Sequence, residues 1–461
     1  MTPSAILAAN RFGLGARPGE LTDIGDDPRA WLIEQITGSR PLPQEMSALP
    51  SSATAFKTYA QARQQKKAEP DKDDAAKQMQ DSRKQLAAIY REQVAARYRV
   101  ATRSAEPFRE RLVHFWTNHF AVSADKGTVV ALAATLENEA IRPHLGGRFV
   151  DLLFAVEAHP AMILYLDNQG SVGPNSPLAQ RAAKRAKGDR KLDINENLAR
   201  EILELHTLGV NGGYTQTDVT TFARALTGWS VANDRSKQPE RAGQFEFRGM
   251  AHEPDAKTIL GKRYSEDGVA QPRAVLQDLA NHPATATHIA TKLARHFIAD
   301  EPPPAAIERL AKVFRDRSGD LPSLHRALVE SPEAWQEPRT KFKTPHDFVV
   351  STFRMLDFVP QQPQQILAPF QLLGQRPYSP GSPAGWADTA GHWDGPDALL
   401  KRIEWASAIG ERMGSKVQPL AVGVQSLGSA LAERTRTAIS RAESGAQAIA
   451  LLLASPEFQR R

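Results

Sequence analysis

Apolar residues recur at the three- and four-residue spacing of a helix along almost the whole chain, and Gly and Pro stand where the pattern stops. Gly13, Gly15, Pro18, Gly25 and Pro28 cut residues 1–50 into two or three short helices. Gly146-Gly147, Gly170 and Gly212-Gly213 close helices expected at about 126–142, 148–157, 160–167, 194–208 and 216–227. Thr215 and Asp218 form a capping-box-like start, and His159 and His282 each precede a Pro as helix caps. One stretch breaks the period: Phe245 and Phe247 alternate with Glu246 and Arg248, and 257–264 reads as the returning strand. The fold class is therefore mostly α, a multi-helix globular body with a charged helical arm and one small inserted β-hairpin.

The expected divisions are 1–50, short N-terminal helices; 51–105, the arm; 106–232, a central helical core; 233–265, the hairpin insertion; and 266–461, a C-terminal helical region. The arm splits at Pro70-Asp71, and its second helix starts near Asp73. Residues 359–396, rich in Pro, Gly and Gln, read as a long irregular loop, a kind that is usually functional or a packed cover.

Composition narrows the chemistry. Without cysteine, thiol nucleophiles, Cys-ligated zinc, iron–sulfur clusters and disulfides are excluded. The net charge is +6, yet residues 181–191 alone carry +5, through Arg181, Lys184, Arg185, Lys187, Arg190 and Lys191 against Asp189. No aromatic side chain stands among them to stack on bases, so a solvated loop is preferred, then a contact for an anion or a partner, and last a nucleic-acid surface. The N-terminus has no basic leader and only five apolar residues before Asn10, too few for a signal peptide. The apolar run at 448–454 is far below the ~18 residues of a membrane span.

Two helices carry polar residues on apolar faces. On a wheel of 198–208, Leu198, Ile202, Leu203, Leu205 and Leu208 form the apolar arc. Asn197, Arg200, Glu201, Glu204 and Thr207 lie opposite, while Asn195 and His206 fall inside the arc and each needs a buried partner. In 111–120, His119 points into the apolar face, and His114 and Asn118 share the polar side. One reading is an enzyme or small-ligand site between these helices. There Glu201 or Glu204 is the general acid/base, His206 or His114 a proton relay, and Arg200 or Arg224 an anion clamp; Asn118, Asn195, Asn197 and Asp167 contribute to binding. A divalent metal on Glu201, Glu204 and His114 is weaker than the plain reading of solvated helix-surface carboxylates. The other reading makes the same residues a buried polar network that sets helix register in a scaffold.

Three blocks together resemble a known family. They are Arg111-Leu112-Val113-His114-Phe115-Trp116-Thr117-Asn118-His119-Phe120, then His159-Pro160-Ala161-Met162 with Tyr165-Leu166-Asp167-Asn168, and then Asn195-Glu196-Asn197-Leu198-Ala199-Arg200-Glu201-Ile202-Leu203-Glu204-Leu205-His206-Thr207-Leu208-Gly209-Val210. The last continues through Gly213-Tyr214-Thr215 to Thr227-Gly228-Trp229, and Gly374-Gln375, Gly385-Trp386 and Ser455-Pro456-Glu457-Phe458 extend the match. The chain resembles the bacterial "domain of unknown function 1800" family over nearly its whole length. It departs at His252-Glu253-Pro254-Asp255-Ala256-Lys257, where the family often has His-Asp-x-Gly-x-Lys. The resemblance implies a predominantly helical bacterial protein of a family without an agreed activity. It also implies a partner, since members are often encoded beside a sulfatase-like, twin-arginine-exported family. The missing leader points to the cytoplasm, and co-export with that partner leaves a periplasmic or envelope location open.

Overall fold

The computed structural model describes residues 2–68, 72–185, 192–234, 236, 238–337 and 339–461, without the side chains of 62–68, 72–76, 78–79 and 185. Thr2 caps α1 (Pro3–Leu7) by accepting the Ala5 N–H, with Pro3 in the first turn. The arm is an antiparallel pair, α2 (Ser52–Ala68) and α3 (Lys72–Arg103). Its Pro70-Asp71 break lies outside the described residues, as does most of the basic loop, 186–191. Along α3, Arg83, Lys84 and Gln85 are exposed, and burial comes further on. Val94, Ala95, Tyr98 and Ala101 are buried, and they bring Arg97 inward with them.

The centre is α4 (Pro107–His119), buried along most of its length, with α5 (Phe149–Glu157) and α6 (Pro160–Tyr165). His159 caps α6 with its Nδ1, which accepts the Ala161 N–H as its place before Pro160 foretold. The helix expected from 126 instead begins at Ala133, and residues 126–132 are successive turns. Gly127 and the β-branched Thr128-Val129-Val130 account for the late start.

The signature helix also differs from its expected span. α7 (Asn197–Glu201) starts late because the Asn195 side-chain oxygen caps the Asn197 N–H at 2.8 Å. It then widens into a π-turn over Ile202–His206, with Thr207 Oγ1 donating to the Ile202 carbonyl at 2.6 Å. α8 (Gln216–Ala225) opens with a full Thr215–Asp218 capping box.

The single expected hairpin is two ladders. β1 (Trp229–Val231) pairs antiparallel with β2 (Phe245–Phe247), Trp229 facing Phe247. β3 (Lys257–Ile259) and β4 (Lys262–Tyr264) form their own hairpin through Leu260 and Gly261, both at positive φ (49° and 74°), as a tight two-residue turn demands.

The C-terminal half comprises α9 (Pro283–Phe297), α10 (Pro345–Met355), α11 (Gln364–Leu372), α12 (Pro396–Met413) and α13 (Gly445–Ala454) among other helices. α11 occupies part of the segment expected to be irregular. Among the described residues no helix is long and apolar enough to cross a membrane.

Apolar side chains gather in two clusters. One contains Phe12, Phe108, Trp116, Phe149, Leu203 and Phe297, and the other Tyr98, Phe348, Phe353, Phe370, Trp405 and Ile449. Tyr90 and Tyr378 pack against both, so the clusters adjoin. Polar residues of α4 and α10 meet each other here: His114 lies flat on His346, and Arg111 pairs with Asp347.

Candidate functional site

An ion network anchors the region. Asp347, fully buried on α10, holds Arg111 Nη1 at 3.0 Å and Arg461 Nε at 2.7 Å. Burial alone would raise its pKa, but these two guanidiniums keep it well below the usual carboxylate range. Arg461 also donates to the His296 carbonyl at 2.6 Å and lies 3.4 Å from Asp388. Asp388 in turn accepts from His296 Nδ1 at 2.6 Å and pairs with Lys341.

A second carboxylate hub orients His114. Glu137, with no exposed side-chain surface, accepts from Arg97 Nε at 2.6 Å, Arg142 Nη2 at 2.8 Å and Tyr378 OH at 2.9 Å. Burial pushes its pKa up, yet Arg97 and Arg142 bring it down to about 2. The same Arg97 donates through Nη2 to His114 Nδ1 at 3.2 Å. A guanidinium only donates, so the His114 proton sits on Nε2, which bonds to nothing in the protein. His346 stacks on that ring at 3.6 Å between centroids, and its Nδ1 meets Tyr98 OH at 3.1 Å. Burial, with the Arg97 charge behind it, holds His114 well below its ordinary pKa, so it stays a neutral donor.

Asn118, one turn further along α4, acts as a piece of false backbone. Its Nδ2 donates to the Trp386 carbonyl at 2.9 Å, and its Oδ1 accepts the Trp386 N–H at 2.7 Å. The preceding residue must be glycine, because Gly385 has φ +81° and a Cβ there would stand 2.3 Å from the Asn118 carbonyl oxygen. This clasp places Trp386 over a cavity of about 280 Å³ whose walls include His114, His119, Lys292, Arg295, His296 and Asp388. A smaller void of about 40 Å³ adjoins it, lined by Tyr98, Thr117 and Tyr378 and sharing His114, Asn118, Gln375 and Trp386. A larger cleft of about 430 Å³ lies near Arg142, but its walls contain matched ion pairs, Arg40–Glu106, Arg103–Glu45 and Arg142–Glu110.

Of the polar residues singled out on the two helices, His114, Asn118 and His119 line this cavity and the others do not. His206 is buried and pairs with Glu157 at 2.7 Å. The π-turn that carries His206 inward is held from outside: His119 Nε2 donates to its carbonyl at 3.2 Å, and His288 Nε2 to that of Leu205 at 3.0 Å. Glu201 is half-buried, and burial raises its pKa. Glu204 accepts from Tyr214 OH at 3.3 Å. Arg200 binds Glu196 at 3.0 Å and Gln216 at 3.1 Å. Asn195 donates to the Leu166 carbonyl at 3.2 Å, while Asn197 and Arg224 are exposed. Asp167 pairs with Lys126 at 2.6 Å. Among the described residues no three His, Asp or Glu side chains are placed to hold a metal ion, so Glu201, Glu204 and His114 do not fit that role.

Sequence reasoning missed Lys292, Arg295, His296 and Asp388. The first three had a visible signal. With His288 they recur at i−4, i, i+3 and i+4 on one face of α9, beside the buried Ile289, Leu293 and Phe297. Asp388 had none, because only the tertiary fold brings it to His296.

The fold and cavity define a mostly helical protein with a cation-rich internal site. A family model described as "Protein of unknown function (DUF1800)" matches residues 7–460, and the chain belongs to that family. No curated protein and no solved structure matches it.

Proposed function

We propose that this protein is an enzyme that takes a small polar molecule into the Trp386 cavity and moves a proton on it. One observation carries the reading: two residues that line the cavity each keep an unpaired imidazole nitrogen, one a neutral donor and one a neutral acceptor. His114 has a free Nε2–H, while His296 gives its Nδ1–H to Asp388 and keeps an Nε2 without a partner, the rings 6.4 Å apart. Burial lowers the His296 pKa to about 4 against the support of Asp388, so at neutral pH the ring is unprotonated. A carboxylate-held imidazole opposite a neutral hydrogen-bond donor suits proton abstraction beside a polarised oxygen. The test is a thermal-shift screen of small metabolites against the wild type and Ala387→Trp, which fills the cavity. Compounds that stabilise only the wild type, and whose turnover is lost in His296→Gln, support the reading. A screen in which no compound separates the two proteins overturns it.

A second reading, a scaffold working with a sulfatase-like companion, draws on a different observation. Leu399, Leu400 and Ile403 leave 39%, 65% and 50% of their surface exposed at the start of α12. Co-expression with such a companion, followed by size-exclusion chromatography, decides it. A shared peak that Leu400→Glu abolishes supports the scaffold, and separate peaks reject it.

A further inference from the structure

The charges around the Trp386 cavity do not balance. Asp388 is the carboxylate in its wall, and it is already engaged by His296 Nδ1 at 2.6 Å, Arg461 at 3.4 Å and Lys341 at 3.6 Å. Lys292 Nζ, by contrast, makes no hydrogen bond or ion pair, though the side chain is half-buried. Arg295 commits only its Nε, to the Asp300 carbonyl at 3.2 Å, which leaves both terminal nitrogens free. The two residues stand three apart on α9, on the same side, and both line the cavity.

Two like charges at that spacing repel, and an ammonium withdrawn from water without a partner is costly. The strain registers on Lys292. Burial brings its pKa down to about 8, with Arg295 adding to the effect and Asp388 opposing it. His119 on α4 and His288 on α9 face it as well, and both are held neutral by burial, so neither supplies a counter-charge. What the site lacks is an anion, and a ligand can bring one.

We propose that the molecule bound in this cavity carries an anionic group, a carboxylate or a phosphate, seated between Lys292 Nζ and the free fork of Arg295. This rests on the small-molecule reading above and adds its charge. A guanidinium fork matches both oxyanions in two-point geometry, and the neighbouring ammonium adds a point charge. His114 Nε2–H is then available to another oxygen of the same molecule. At about 280 Å³ the cavity suits a small organic acid or phosphate ester and is tight for a nucleotide.

Labelling of the full chain with two aldehydes tests this. Pyridoxal 5′-phosphate carries an anion and pyridoxal does not. In either case the Lys292 amine adds to the aldehyde carbon, the carbonyl oxygen leaves as water, and borohydride delivers hydride to fix the imine as a secondary amine. Peptide mass spectrometry then ranks the lysines. The expected result is that Lys292 is modified first, several-fold faster by the phosphate-bearing aldehyde, with a rate that climbs through pH 8. Arg295→Gln, checked for folding by circular dichroism, narrows that difference. Protection by inorganic phosphate, by succinate or by both supports the proposal and tells which oxyanion the site prefers. If Lys292 reacts equally with both aldehydes and neither anion protects it, the cavity admits small molecules regardless of charge; the anion inference falls and the small-molecule reading stands. If neither aldehyde reaches Lys292 while exposed lysines are labelled, both fall.

Discussion

Replacing Glu137 by leucine asks how much the protein depends on one buried carboxylate. Glu137 takes the Nε–H of Arg97 at 2.6 Å, two donors of Arg142 at 2.8 and 3.1 Å, and Tyr378 OH at 2.9 Å. Arg142 would retain Glu110, which it holds through two bonds of 2.8 Å. Arg97 would lose the carboxylate it pairs with. Breaking a buried ion pair from one side costs about 3–5 kcal/mol. Unfolding entropy of ~2.1 cal/mol/K per residue, taken over 461 residues, converts each kcal/mol into roughly 1 °C, so Tm falls by about 3–5 °C. Removing both partners in Arg97→Met with Glu137→Leu takes away the orphaned cation, and Tm returns to within about 1–2 °C of wild type. Differential scanning calorimetry of the three proteins makes the comparison. A single variant that loses less than about 1 °C, or a double variant no better than the single, would refute the argument. The pH dependence has a definite sign. With its pKa depressed from 4.5 to about 2, Glu137 contributes fully above about pH 4.5, and the contribution is lost as pH falls through 2. The leucine variant lacks that component.

Further predictions concern the other buried groups. His288 and His296 are held at about 4 against an ordinary 6.5, and burial sets His114, His119 and His346 well below it, so between these values the unfolded chain binds protons that the folded one refuses. Stability is therefore full above pH 6.5 and falls with acid by about 1.4 kcal/mol per pH unit for each histidine; an equal urea midpoint at pH 7.5 and 5 contradicts this. Gly385→Ala forces a Cβ to within 2.3 Å of the Asn118 carbonyl at a left-handed φ, costing about 1–3 kcal/mol and opening the Trp386 peptide to chymotrypsin. Unchanged cleavage would mean the clasp is not needed. His206→Leu leaves the buried Glu157 side chain without its nearest polar neighbour and lowers stability by about 1–3 kcal/mol in urea, whereas no measurable loss denies the pair its importance.

Much of the helical plan is legible in local chemistry. His159 before Pro160 and Thr215 before Asp218 announce their helix starts, and both caps form as read. Asn195 and His206 stand out because a polar group among leucines needs a partner, and each has one, the Leu166 carbonyl and Glu157. The wheel that marked them assumes an even turn of about 100° per residue, which the π-turn at Ile202–His206 does not keep. Its error shows at Thr207, placed opposite the arc but fully buried, and at Leu205, placed inside it but only half-buried. The site itself is assembled by contacts distant in sequence, such as Asn118 with Trp386 and His296 with Asp388. No periodicity records such contacts. The strand pairing is hidden for a similar reason, since Phe245–Phe247 turns back to Trp229–Val231 rather than forward to residues 257–264.

The burial of Arg461 between Asp347 and Asp388 has a consequence for the order of events during synthesis. Arg111 and Arg461 are 350 positions apart, and at 5–20 residues per second a ribosome takes roughly 20–70 s to travel from one to the other. Throughout that interval Asp347, once made, has one of its two guanidiniums, and Asp388 lacks one of its cations. The helices that wall the cavity are complete before Arg461, which holds the His296 carbonyl, emerges. A nascent chain therefore has its helical body and the cavity's lining residues before the ion network behind them is complete.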